Sequence, residues 1–282
     1  MPLTAPQPAA DMPGDLAGAF AFVDRLHEQG MGGILRSPCL PSPALSRAIG
    51  CDVVVKLENL QATGSFKERG AYARLAALSE AERRRGVVAA SAGNHAQGVA
   101  RHATAMGIRT TIVMPEGTPM VKVHQTRALG AEVDITGADF DAAKAHALSL
   151  SAETGAVFIH PFDDPLVIAG QGTIGTEVLK QMTGKPLHAV FVCCGGGGML
   201  AGIAAYIKRV RPGVMVIGVE AADAAGMTVS LRNGQRTALD SVGLFADGAA
   251  VRLVGQETFR VCNELVDDMV TVTTDEICAA IK

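Results

Sequence analysis

The 282-residue chain has no run of about eighteen apolar residues, the length a helix needs to cross a bilayer, so no membrane span is expected. It has no basic excess either: 25 Lys and Arg face 28 Asp and Glu, for a net charge of −3. No basic cluster is interleaved with its sparse aromatics, which make up 4% of the residues, so the electrostatic footprint of nucleic-acid binding is missing. The six cysteines (39, 51, 193, 194, 262 and 278) show neither metal-ligand spacing nor a small secreted framework. Lying mostly in apolar runs, they are expected to be buried, reduced thiols of a cytoplasmic protein. Repeats of solenoid length are absent. Residues 1–14 are rich in Pro and Ala but lack the basic start and apolar core of a secretory leader. Residues 1–18 are expected to form a disordered tail.

What is present is 48% hydrophobic residues, enough at this length for one large α/β domain or two lobes whose core needs no covalent staples. Residues 20–35 carry apolar side chains at helical intervals and predict a helix. The segment Ser37-Pro38-Cys39-Leu40-Pro41-Ser42-Pro43 must be extended or turning. From Gly86 onward strand-like stretches (87–90, 110–114, 132–135, 157–160) alternate with helix-like ones (95–106, 121–129, 139–153). Gly107, Gly130 and Gly155 stand just past those helices, where glycine is the usual stop. The alternation resumes with helices at 167–182, 199–210 and 254–267 and strands at 189–192, 214–219 and 269–272.

Such alternation implies crossover connections and parallel strands. The predicted fold is α/β, with two lobes, each built on a mainly parallel open sheet flanked by helices. Residues 86–162 are expected to form the small lobe, and residues 19–85 with 163–282 a discontinuous large lobe. Thr274 is expected to cap a last helix that stops at Lys282. A helix cut that short is marginal by itself, so the large lobe is expected to be C-terminally incomplete.

Three loops carry the chemistry. Thr63-Gly64-Ser65-Phe66-Lys67-Glu68-Arg69-Gly70-Ala71 lies between a strand-like run at 53–57 and a helix-like run at 72–78. Ser65 and Glu68 have capping-box spacing, which predicts a helix starting at Ser65 with Lys67 in its first turn. A cation is disfavoured at that positive end, so the amine of Lys67 should lose its proton readily, as a Schiff-base lysine must. A solvated first-turn lysine is the competing reading. Ser91-Ala92-Gly93-Asn94-His95 follows the strand at 87–90, and Gly195-Gly196-Gly197-Gly198 follows the strand at 189–192. Four consecutive glycines let backbone N–H groups converge on an anion, with the following helix adding its dipole. A flexible turn is the alternative. Ligands of open α/β sheets bind at loops of this kind, and three in one chain point to one shared site.

Together with His160-Pro161-Phe162-Asp163-Asp164-Pro165, Ala169-Gly170-Gln171-Gly172-Thr173 and Gly243-Leu244-Phe245-Ala246-Asp247-Gly248, these loops resemble the pyridoxal-phosphate enzymes of the tryptophan synthase β fold (fold type II). The likeness is closest to the threonine dehydratase (threonine ammonia-lyase) branch and runs from about residue 35 to the end. It implies pyridoxal 5′-phosphate as cofactor, linked to Lys67, with Phe66 packed near its ring and Asn94 hydrogen-bonded to the ring's 3′ oxygen. Gly195, Gly196, Gly197, Gly198 and Met199 would hold the phosphate. Ser91, Ala92, Gly93, Asn94 and His95 would form the loop that receives the substrate carboxylate.

The reaction implied is deamination of L-threonine to 2-oxobutanoate, and of L-serine to pyruvate, a first step toward isoleucine. Relatives are dimers or tetramers, so a homodimer or homotetramer is implied. In serine racemases the position of Ala92 carries a serine that works as acid and base on the far face of the ring. Alanine cannot move a proton, which suits elimination and not racemisation.

Other readings stay open at this point. Gly196-Gly197-Gly198-Met199-Leu200-Ala201 fits a dinucleotide fingerprint, with Glu220 near the spacing of a ribose-binding acid, as in an oxidoreductase. His95 can be a surface residue of a first helical turn. Glu220 also resembles one carboxylate ligand of the metal loop of serine racemases, but Gly226 stands where a second acid would be, so a metal is not expected. A serine racemase-like or other fold type II lyase is one alternative. A truncated, non-catalytic cofactor- or amino-acid-binding protein is another.

Overall fold

The computed structural model describes residues 15–282. Its helices are α1 (Leu16–Glu28), α2 (Pro43–Ile49), α3 (Lys67–Ala76), α4 (Glu80–Arg85), α5 (Asn94–Ala105), α6 (Met120–Ala128), α7 (Phe140–Thr154), α8 (Pro165–Gln181), α9 (Gly198–Val210), α10 (Gly226–Asn233), α11 (Gln256–Leu265) and α12 (Thr274–Ile281). Its strands are β1 (Cys39–Pro41), β2 (Val54–Lys56), β3 (Val87–Ala90), β4 (Thr110–Met114), β5 (Glu132–Ile135), β6 (Val157–Phe158), β7 (Ala189–Cys193), β8 (Met215–Ala221) and β9 (Asp268–Val272).

Alternating strands and helices produce two parallel sheets, as crossover connections require. One has the order β5-β4-β3-β6 and the other β7-β8-β9. The short pair β1-β2 is antiparallel. β3 is apolar throughout and buried on both faces, as a central parallel strand should be. Its residues alternate between two cores: Val87 and Ala89 pack with Val99, Ile112 and Met114, whereas Val88 and Ala90 pack with Val113, Ala143 and Ala147 of α7. The second sheet packs beneath α8, α9 and α11 through Val192, Val216, Leu200 and Val261.

α8 is buried along most of its length and touches α3 on one side and α9 on the other. Two pairs of small residues permit this. A Cβ on Gly170 would lie 2.7 Å from the Cα of Gly70, and one on Gly202 would lie 2.7 Å from the backbone nitrogen of Gly172. The helix stack α3-α8-α9 fixes where α3 begins relative to the loop before α9.

Several boundaries differ from the sequence expectation. Residues 1–14 of the expected tail lie outside the described residues, but α1 begins at Leu16, inside the 1–18 span, because the Asp15 carboxylate accepts the N–H of Gly18 at 2.7 Å. The helix expected over residues 20–35 ends at Glu28, where Gly30, Gly32 and Gly33 take positive φ. α2, α4 and α10 were not anticipated. α12 is capped by Thr273 rather than Thr274, in a capping box with Glu276. The cysteines are all free, but of the six only Cys194 and Cys262 are buried.

Candidate active site

α3 begins at Lys67, two residues later than expected, and no capping box forms. Ser65 Oγ accepts only the Lys67 N–H, at 3.3 Å. Glu68 instead turns into the protein and is fully buried. Its carboxylate accepts from the N–H of Thr63 and from His102 Nε2 at 3.0 Å, with Arg101 Nε 3.2 Å away. Arg69, the next residue, is equally buried and points into a second polar cluster. Its guanidinium donates twice to Glu58 (2.7 and 2.8 Å), twice to Glu177 (2.8 and 3.0 Å) and once to Thr173 Oγ1 (3.0 Å). Glu177 also accepts from Lys56 Nζ at 2.6 Å and His27 Nε2 at 3.1 Å. Burial alone would raise the Glu177 carboxyl, but hydrogen bonds from His27, Arg69 and Lys56 and the charge of Arg69 hold it at about 2. The two residues after Lys67 are thus clamped to separate parts of the fold, which fixes the backbone that carries the amine.

Lys67 Nζ donates to the carbonyl of Pro161 at 2.9 Å and lies 5.5 Å from the centre of the Phe66 ring. Burial lowers its pKa to about 8, partly opposed by Cys193. The sequence reading anticipated the direction but credited the helix end, and desolvation is the main cause.

A cleft opens beside this amine. Phe66, Lys67, Gly195, Gly196, Gly197, Gly198 and Met199 all line it. Gly197 has φ +92° and is the N-cap of α9, whose first turn has no side-chain cap. With no side chain capping them, the N–H groups of that turn can seat an anion at the carboxyl end of β7. Packing supplies a second reason for the glycines. A Cβ on Gly196 would collide with the Phe162 ring, and one on Gly195 would lie 3.0 Å from Ala249.

The Ser91 loop stands outside this lining but next to Lys67. A Cβ on Gly98, one turn into α5, would come 3.3 Å from the carbonyl of Lys67. α5 starts on Gly93 with no side-chain cap, and Ser91 Oγ accepts the Gly93 N–H at 3.2 Å. Ala92 is partly buried against the β3–α5 core and Asn94 is exposed. His95 is not a surface residue. It is 3% exposed, and Nε2 lies 2.9 Å from the Ile159 carbonyl, so Nε2 carries the proton. Burial and then the nearby Lys67 push its pKa down to about 3, keeping it neutral.

Pro161, Phe162, Gln171 and Cys193 also border the cleft, and none had been given a role. The first three lie in motifs quoted above, and the signal for Phe162 was indirect: a glycine that must be bare needs a bulky neighbour. Gln171 is 1% exposed and its Oε1 is buried without a hydrogen-bond partner.

Glu220 takes neither of the parts weighed for it. It is 1% exposed, and its oxygens accept the N–H groups of Met227 (2.9 Å) and Thr228 (2.8 Å) and the Thr228 hydroxyl (2.7 Å). Spent on the start of α10, it is free neither for ribose hydroxyls nor for a metal, and no cluster of metal-ligating side chains occurs among the described residues.

An amine of lowered pKa and a glycine-started helix end on one cleft of an α/β fold suit a phosphorylated carbonyl cofactor. The donor set fits both ends of pyridoxal phosphate, with Lys67 for the aldehyde and the glycine loop for the phosphate. The chain belongs to the pyridoxal-phosphate dependent enzyme family, whose model matches residues 31–282. It is 54% identical over 245 residues to the L-threonine dehydratase biosynthetic IlvA of Burkholderia multivorans, covering 86% of this chain and 48% of that protein. The structure of the processed form of threonine deaminase isoform 2 from Solanum lycopersicum superposes with a TM-score of 0.89 at 44% identity, covering 99% of this chain and 80% of that one. Serine racemase from Dictyostelium discoideum superposes with a TM-score of 0.85 at 33% identity, covering 93% and 84%. The chain spans about half the length of the curated relatives it matches. Among the described residues no helix is long and apolar enough to cross a membrane.

Proposed function

We propose that the protein deaminates L-threonine, and L-serine, by α,β-elimination with pyridoxal phosphate as cofactor, giving 2-oxobutanoate or pyruvate and ammonia. The observation that carries this is the pairing of the Lys67 amine, at a pKa of about 8, with residues 195–198 on one cleft. Bound cofactor supplies the electron sink for the carbanion. Lys67 Nζ would hold the cofactor's aldehyde and, as a free amine, would be the base that takes the α-proton. Gly195, Gly196, Gly197, Gly198 and Met199 hold the phosphate. Phe66 would pack on the ring, and Asn94 would bond its 3′ oxygen. The uncapped start of α5, with Ser91, Gly93 and His95 around it, receives the substrate carboxylate.

Water lost at the β-carbon is regained at hydrolysis, so threonine becomes 2-oxobutanoate plus ammonia. Ala92 has no proton to deliver to the opposite face, which favours elimination over racemisation. Residues 86–162 carry the α5 start as a small lobe, and 19–85 with 163–282 form the larger one, a division supported by the sheet β5-β4-β3-β6 lying wholly within the first. Six free thiols support a cytoplasmic setting, and the protein assembles as a homodimer or homotetramer in this reading.

The test is to load the purified protein with pyridoxal phosphate, supply L-threonine or L-serine, and measure 2-oxo acid and D-serine. Oxo acid without D-serine is expected, and D-serine without oxo acid would replace deamination by racemisation. In Lys67→Ala the visible absorbance of the lysine-linked cofactor disappears. If it persists, another residue holds the aldehyde.

A further inference from the structure

We propose that Thr258 is a positioning residue for the phosphate seat: its hydroxyl draws the Gly196 carbonyl toward α11 and so turns the Gly197 N–H into the cleft. This rests on the cofactor reading above and adds to it a residue of no glycine motif, sixty residues further along the chain. Thr258 is fully buried, and its Oγ1 donates to the Gly196 carbonyl at 2.8 Å. The N–H of Gly255 reaches the same oxygen at 3.4 Å. Because a trans peptide is planar, its carbonyl and the N–H of the next residue point in opposite directions. An oxygen drawn toward α11 therefore leaves the Gly197 N–H facing away from α11, on the cleft side.

Glycine on both sides makes this peptide unusually free to rotate. A rotated peptide would present a carbonyl oxygen to the anion, and repulsion would replace a hydrogen bond. Thr258 is itself held in place. The Asp163 carboxylate accepts the N–H groups of Gln256 (2.8 Å), Glu257 (2.9 Å) and Thr258 (3.2 Å). It belongs to the same segment as Phe162, whose ring packs on Gly196. The start of α11 is thus tied to the wall of the cleft, and the hydroxyl passes that constraint to the loop.

The test compares Thr258→Val, which keeps the shape and removes the donor, with Thr258→Ser, which keeps the donor. Dissociation constants are measured for pyridoxal phosphate and for pyridoxal, read from the absorbance of the Lys67 linkage. Loss of one hydrogen bond to the anion should weaken pyridoxal phosphate about tenfold in Thr258→Val and leave pyridoxal within about twofold. Thr258→Ser should keep the wild-type ratio. Equal weakening of both ligands, or no weakening of either, overturns the proposal. A further measurement on the unmutated, cofactor-free chain is independent of variant folding. Inorganic phosphate should shift the Gly197 amide resonance saturably, and an unmoved resonance overturns the proposal. If the Lys67 reading fails, neither aldehyde gives the absorbance even in the wild-type chain, while the phosphate titration still decides whether Gly197 faces the anion.

Discussion

Replacing Glu177 by Gln removes one charge from the centre of the cluster around Arg69 and changes almost no volume. Arg69, fully buried, keeps Glu58 but loses its second carboxylate, and Lys56 and His27 lose the same partner. Removing one side of a buried pair costs about 3–5 kcal/mol, chiefly because the remaining charge is stranded. The carboxyl's own titration gives a similar figure. Its pKa falls from an ordinary 4.5 to about 2 on folding, which corresponds to about 3 kcal/mol. At roughly 2–4 °C per kcal/mol for a chain of this size, Glu177→Gln should melt about 6–12 °C below wild type near pH 7.

The sign with pH follows from the lowered carboxyl pKa. Its contribution is fully present above the ordinary value of 4.5 and is lost as pH falls toward about 2. The gap between wild type and variant should therefore narrow across that window in a thermal melt followed by circular dichroism. Glu80→Gln is the control, because the Glu80–Arg84 pair is exposed at both ends and such pairs contribute about 0–1 kcal/mol. A Glu177→Gln midpoint within about 2 °C of wild type, no larger than the control effect, would refute the reasoning that this cluster fixes the base of α3.

The amine of Lys67 should capture pyridoxal with a rate that rises about tenfold per pH unit and levels near its pKa of about 8. Stopped-flow absorbance follows this, and a rise continuing to pH 10 would contradict burial as the cause. Gly196→Ala pushes a methyl group into the Phe162 ring and should destabilise by about 1–3 kcal/mol while weakening cofactor binding. Adding Phe162→Leu should recover part of both losses in melting and titration experiments, and no recovery would show that packing against Phe162 is not the constraint. Thr273→Ala breaks the capping box of α12 and should cost about 1 kcal/mol with cofactor absorbance unchanged.

The parts of the fold legible in the sequence are those where burial writes a simple pattern. β3 is a run of four apolar residues because both faces are covered, and Gly155 marks the end of α7 because it takes φ +71° there. α4 was missed although Ser79 and Glu82 have capping-box spacing, because its six residues carry no apolar stripe to draw attention. At Ser65 and Glu68 the same spacing misled. A glutamate three residues after a serine reaches back to a cap only if nothing better is near, and His102 and Arg101, distant in sequence, offered more. Lys67 and the glycine loop were visible because their chemistry demands particular residue types. Thr258 and Asp163 were not, because each acts through backbone groups and their positions mean nothing until α11 is folded onto the loop.

Among the described residues three helices have glycine as their N-cap: α5 (Gly93), α9 (Gly197) and α11 (Gly255). None of these glycines has a side chain with which to cap the first turn, so each start needs an acceptor from elsewhere. At α11 the protein supplies it: the Asp163 carboxylate sits on three N–H groups, in the space that a Cβ on Gly255 would fill. The fold thus contains a worked case of an anion seated on a glycine-started helix. Elsewhere side chains of the chain cap α1, α4, α7, α8 and α12 from their own N-cap residues, and Glu220 caps α10. α2, α3 and α6 have no side-chain cap on their N-cap residue either, so a bare start by itself marks nothing. What separates α9 and α5 is their setting. The first opens on the cleft that holds the Lys67 amine, and the second packs Gly98 against the Lys67 backbone. An uncapped positive end that opens on the same cleft as a lowered-pKa amine suits a ligand carrying an anionic group and a carbonyl.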